Sequence, residues 1–197
     1  MITNGYATLS EYKTYQRITS ADATDDTFIE AAIEAASRWI DRESGTRFYL
    51  ATETRKYNIP LGNQPLLFDA HYQAITSVTN GDGSTITAGN FVTLPANVLP
   101  LWGLSLADRT GINWALSGTT GTIQAISITG TVGYSATAPK DIYLSCLEIA
   151  KAMYSRRFGE NMATRTIITP AGVVQIPDGV PDWAAEAIAN YRRVAFA

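Results

Sequence analysis

The chain has 197 residues and a formal net charge of −3, so no bulk attraction to nucleic acid or acidic lipid is expected. Its hydrophobic content of 46% can supply a real core, and its length fits one domain or one domain carrying a large insertion. Charged residues make up only 17%, below the usual quarter, so part of the surface is covered by uncharged polar groups or by other subunits.

The first element is a short helix from Leu9 to Arg17. Thr8 with Glu11 three residues later forms a capping box, in which hydroxyl and carboxylate satisfy two orphan N–H groups reciprocally. A linker leads to Asp25 and Asp26, acids suited to a helix N-terminus. The helix they open runs from Asp26 to Ser44. Phe28, Ile29, Ala32, Ile33, Ala36, Trp39 and Ile40 fall on its apolar face, and Glu30, Glu34, Ser37 and Asp41 on the other. Gly45 is its stop.

The composition then changes. From Asn58 to Thr137 only Asp69, Asp82, Asp108 and Arg109 are charged, and every Lys and Glu lies outside that span. This middle is rich in Thr, Ser, Gly and Ile and reads as strands. Thr52–Ile59 opens it, broken by Pro60, Gly62 and Pro65. Ala74–Asn80 and Ser84–Thr87 flank Gly81-Asp82-Gly83, a hairpin tip. Phe91–Leu94 is a further strand ended by Pro95, and Leu99–Gly111, with Trp102, reads as irregular. In the last strand Ile126, Ile128, Val132 and Tyr134 alternate with Ser127, Thr129, Thr131 and Gly133, and Gly130 marks a bulge or close backbone approach.

Pro139 suits the first position of a third helix, with Ile142, Tyr143, Cys146, Ile149, Ala150, Met153 and Tyr154 on its buried face. Leu144 falls on the polar arc, either as an ordinary exposed Leu or as a subunit contact. Across 159–179 there is no helical pattern. Ile167, Ile168, Val173 and Val174 around Pro170-Ala171-Gly172 suggest a hairpin or arm whose β-branched residues need cover from the domain or a neighbour. A final helix follows Pro181, with Trp183, Ala187, Tyr191 and Val194 on one face. The expected fold class is α+β. Residues 1–50 and 138–197 form a four-helix bundle-like core of two N-terminal and two C-terminal helices, interrupted by a β-rich insertion over 51–137.

Catalytic chemistry is not expected. His71 is the sole histidine, so a zinc site or a Ser-His-Asp triad would have to be built around that one imidazole. Cys146 is the sole cysteine and sits in an apolar helical pattern, which suits an inert buried thiol. The Gly81-Asp82-Gly83 tip lacks the Lys-Ser/Thr and the helix that phosphate binding needs. Trp102, Trp114, Tyr72 and Phe91 could form a sugar-stacking platform, although aromatics in a small β unit commonly form its core. No cofactor or metal is expected. The segment MITNGYATLSEYK lacks the apolar run of a signal peptide, and no stretch reaches transmembrane length, so synthesis and folding in a cytoplasm without membrane association are expected.

Two stretches carry a family likeness. The first is Tyr6-Ala-Thr8-Leu9, Tyr12-Lys13, Asp25-Asp26, Ile29, Ile33-Glu34-Ala35-Ala36-Ser37 and Ile40-Asp41, closing on Gly45-Thr46-Arg47-Phe48-Tyr49. The second is Ile128-Thr129-Gly130-Thr131-Val132-Gly133-Tyr134, Pro139, Ile142, Cys146-Leu147, Ala150, Tyr154 and Arg156-Arg157, followed by Ile176-Pro177 and Tyr191-Arg192-Arg193. In order and spacing these resemble the head–tail connector (head-completion adaptor) proteins of long-tailed bacteriophages and prophages. Both helical flanks are covered; the middle of the insert, 61–121, matches no motif.

The resemblance implies a structural, non-enzymatic virion protein at the head–tail interface. It implies a ring of twelve copies beneath the portal, extending the channel through which packaged DNA passes without specific binding. The far side of the ring would meet a stopper or tail protein. The resemblance also implies portal docking by the C-terminal segment, here Tyr191, Arg192, Arg193 and Phe196, while the residues themselves nominate Ile167, Ile168, Val173 and Val174 as an oligomer arm. The alternatives are a tail-completion protein of the same joint and a β module that binds carbohydrate.

Overall fold

The computed structural model describes residues 2–62, 64–108, 111–156, 164–169, 172–177 and 181–192, with the backbone alone over 164–177. Four α-helices and an antiparallel sheet of six strands, with a separate two-stranded hairpin, make an α+β protein. The chain divides into two compact units, Met1–Phe48 with Thr137–Ala197, and Tyr49–Ala136.

In the first unit, α1 (Leu9–Gln16) begins at the Thr8–Glu11 capping box and stops at Arg17, whose φ of 58° ends the helix one residue before the sequence places its end. Lys13 is buried, with its ammonium 2.5 Å from Asp26 and 2.7 Å from the Asp22 carbonyl. It therefore ties the α1–α2 linker to both helices. Helix α2 (Asp26–Ser44) stops at Gly45 in the left-handed region, φ 63°, where a Cβ would be strained. Helix α3 (Lys140–Ser155) starts one residue later than expected, with Pro139 as its N-cap. Helix α4 (Asp182–Asn190) follows Pro181. Helix α2 packs on α1, α3 and α4, and α3 packs on α4. Ile29, Ile33, Ile40, Ile142, Cys146, Ile149 and Ile188 are buried in this unit, each apolar side chain of that size contributing about 1.5–3 kcal/mol.

Three expected helix faces need correction. Ser37, assigned to the polar side of α2, is wholly buried: its Oγ accepts from the Tyr6 amide and donates to the Ile33 carbonyl. Phe28, assigned to the apolar side, is exposed. On α4 the buried residues are Ala184, Ala185, Ala187 and Ile188, while Trp183 is 43% exposed. Small Ala side chains let α4 approach its neighbours closely, so the largest residue does not mark the inner face.

The second unit is built on β1 (Ala51–Tyr57), β2 (Leu66–Thr79), β3 (Thr85–Ile86), β4 (Phe91–Leu94), β5 (Leu101–Leu106) and β6 (Ile126–Val132). The strand order is β1-β6-β2-β5-β4, with β3 on β2. Strand β2 is twice as long as expected. Its first half pairs β5 and its second half pairs β6, with register shifts near Tyr72 and Ile75. Such bulges bend a strand and sharpen its twist. The expected irregular stretch around Trp102 is instead strand β5, held between β2 and β4.

The bent sheet curls over its own core. Although β6 separates β1 from β2, Tyr57 Oη donates to Asp69 at 2.7 Å and Arg55 Nη1 lies 3.1 Å from the same carboxylate. Tyr57, Phe68, Tyr72, Leu104, Ile126, Ile128 and Val132 fill the interior. At Gly130 a Cβ would lie 2.3 Å from the Ala74 carbonyl oxygen, which gives the expected close approach its physical form.

In the first unit, the expected arm takes the form of an antiparallel hairpin. Strands β7 (Thr164–Thr169) and β8 (Gly172–Pro177) pair Ile167 with Val174 and Ile168 with Val173.

Candidate functional site

Tyr191, just past the end of α4, fastens that end to other parts of the first unit. Tyr191 packs its ring edge-on to Phe48 at 5.1 Å, and its hydroxyl donates to Asp141 at the start of α3 at 3.2 Å. Its carbonyl accepts from Thr46 Oγ1 at 2.9 Å. Phe48 is buried, and its own amide donates to Tyr6 Oη, which in turn donates to Asp41. A chain of contacts thus runs from α2 through Tyr6 and Phe48 to the end of α4. Burial holds the Asp41 carboxyl above the ordinary carboxylate range, and desolvation with the Asp41 bond holds the Tyr6 hydroxyl far above the usual phenol value. Of the four residues named for docking, Tyr191 is therefore an internal anchor and Arg192 stands just beyond it, half-buried. Arg193 and Phe196 lie outside the described residues.

The four arm residues are brought together in two adjacent cross-strand rows of the β7–β8 hairpin. Ile167 with Val174 and Ile168 with Val173 fall on opposite faces, because neighbouring residues of a strand alternate. The hairpin places β-branched residues on both sides.

The groups that chemistry would require are dispersed. The His71 ring stands edge-on to Tyr134 at 5.5 Å, and its carbonyl accepts the Gly133 amide at 2.8 Å. Cys146 is buried between helices, 3.5 Å from Ser37 Oγ, and burial pushes its thiol up to about 11, far from the thiolate a nucleophile needs. Among the described residues no group of three His, Cys, Asp or Glu side chains could hold a metal ion, and no helix is long and apolar enough to cross a membrane. Tyr72 is buried, and Trp114 and Phe91 pack against the core; of the four aromatics named for a sugar platform only Trp102 is exposed, at 39%.

An open groove of about 490 Å³ lies in the second unit between the β1–β2 loop and residues 105–108 with 111–114. Ile59, Leu106, Ile112 and Trp114 line it together with Gln64, Asp108 and Asn113. Its wall is pinned by Asn80, whose side-chain nitrogen donates to the Asn113 carbonyl at 3.0 Å and whose oxygen accepts the Ala115 amide at 2.8 Å. Sequence reading passes over Asn80 because an Asn beside a Gly looks like ordinary turn chemistry.

The outer strands of the sheet differ. Glu53, Arg55 and Lys56 lie on β1, whereas β4 carries no charge and exposes Val92. Leu67 of β2, Gly103 of β5 and Leu94 of β4 share one cross-strand row, and Leu67 is exposed.

Comparison with known proteins gives one family. The family model described as head completion protein matches residues 6–194. No curated protein matches the chain. Solved structures share its fold, three of them as follows. A chain from the virion of the native gene transfer agent (GTA) particle has a TM-score of 0.60 at 14% identity, covering 100% of this chain and 94% of that one. A chain from the neck of the empty GTA particle, computed with C6 symmetry, has a TM-score of 0.61 at 13% identity, with the same coverage of 100% and 94%. One from the neck of the native particle, computed with C12 symmetry, has a TM-score of 0.53 at 14% identity, covering 96% and 90%.

Proposed function

The chain belongs to the head completion protein family, a structural connector of head to tail, and from that premise we propose that it acts as an adaptor ring in the virion neck. Twelve copies stack beneath the portal, extend the channel for packaged DNA, and offer their far side to a stopper or tail protein. The observation that carries this reading is the family match over residues 6–194; necks of GTA particles, computed with C6 and C12 symmetry, contain chains of the same fold and support a ring. The four helices act as one bundle, built from both ends of the chain and interrupted by the β insertion, with the hairpin as the arm toward a neighbouring copy. The net charge of −3 suits a wall that DNA passes without adhering, since phosphate binding depends on Lys and Arg contacts.

The portal end is the segment after α4. Tyr191 fixes its point of departure through Phe48 and Asp141, and the docking role falls to Arg192, Arg193 and Phe196 of that segment. Arginine and aromatic residues are the side chains favoured at interface anchors. Removing Arg192–Ala197 leaves Tyr191 and its contacts in place. The truncated protein is expected to keep its thermal transition, lose portal binding in a pull-down, and leave heads without tails. Unchanged affinity for the portal would move the docking surface elsewhere.

A further inference from the structure

We propose that β8 of one copy adds to the free edge of β4 in a neighbouring copy, so that each chain carries both halves of its own ring contact; this rests on the ring reading above. Edge strands expose unpaired N–H and C=O groups, and charges or prolines ordinarily protect them from strand addition. Strand β1 has that protection in Glu53, Arg55 and Lys56. Strand β4 does not. No charged residue occurs from Gly83 to Ala107, β5 is its only partner among the described residues, and Val92 is 49% exposed beside it.

The hairpin is the complementary half. Strands β7 and β8 pair only with each other among the described residues, and a lone two-stranded hairpin is marginal in water. From Thr166 to Pro177 it too carries no charge. Helix α4 lies beside β7, and β8 has no strand partner but β7 among the described residues. Residues Gly172–Ile176 all retain a backbone N–H, as do Phe91–Leu94, and each strand is closed by a proline, Pro177 and Pro95. Addition extends the sheet path of one copy to β1-β6-β2-β5-β4-β8-β7. The occupant is a second copy because donor and acceptor differ and both sit on one chain. That makes the contact head-to-tail, the kind that closes into a ring.

The test uses assembled particles carrying Val92→Cys and Val174→Cys in the full chain, treated with a short bis-maleimide. Cys146 is buried and stays out of the reaction. A ladder of multimers of this chain is expected from the double variant and none from either single variant. Cross-links from position 92 to a different protein, or no ladder from particles that contain the variant, would overturn the proposal. A second measurement needs no substitution: amide exchange at 91–94 and 172–176 of the wild-type chain slows in the neck relative to the free chain, and equal rates at either strand overturn it. Wild-type particles that lack the chain altogether would instead refute the ring reading.

Discussion

At Gly130 the whole side chain is a hydrogen, and the sheet depends on it. A Cβ there would stand 2.3 Å from the Ala74 carbonyl and 3.0 Å from the Tyr72 ring, where β6 meets the bent part of β2. Gly130→Ala must push those strands apart, and overpacking of this kind costs about 1–3 kcal/mol; denaturant unfolding should show that loss. The position is readable in advance because a glycine inside an alternating strand has no other use. Ser37 is the opposite case. Its spacing puts it on the polar arc of α2, yet the segment carrying Tyr6 covers it and supplies an amide donor at 3.0 Å. Periodicity describes one helix and knows nothing of an irregular segment laid against it. Tyr191 falls on the apolar side of the last helix by its spacing, and it is held there by Phe48, Asp141 and Thr46, partners far from it in sequence that the spacing does not name.

Among the elements, the helices were the readable ones. Helix α2 has the expected limits because a charged N-terminus, a 3.6-residue apolar rhythm and a stop glycine agree. Ile40 on its inner face is wholly buried, so Ile40→Ala should cost about 2–5 kcal/mol; a loss below about half a kcal/mol in denaturant unfolding would argue against a packed helical core. The strands were harder to read. Strand β5 reads Leu-Trp-Gly-Leu-Ser-Leu, and its buried residues are Leu101, Gly103 and Leu104, so strict alternation is absent. The first half of β2 does alternate, with Leu66, Phe68 and Tyr72 buried, but Pro65 just before it and the register shifts between Tyr72 and Ser77 separate it from the second half in any reading of period alone. Pairing with neighbours makes both into strands, and pairing is not written in either segment alone. The uncharged β4 edge was visible as composition, but its role as an edge needed the strand order.

For the whole molecule, the decisive fact is where the insert begins and ends. Ala51 opens β1 opposite Val132 at the close of β6, and a Cβ at Gly133 would touch the Tyr49 carbonyl oxygen at 2.0 Å. Entry and exit are thus neighbours in one ladder. A fragment of residues 49–136 keeps every strand of the six-stranded sheet and the buried cluster within it. It is expected to fold alone, with a cooperative thermal transition in circular dichroism; an unfolded fragment would show that the sheet needs the helices. The same arrangement has a mechanical side. Any tension reaching the insert through its two ends pulls Ala51 and Val132 apart at the same end of the β1–β6 pair. The load then falls on one cross-strand pair at a time, as in opening a zipper, and is never shared along the ladder. A pull on the two ends of the insert therefore peels the sheet open from the hinge side inward.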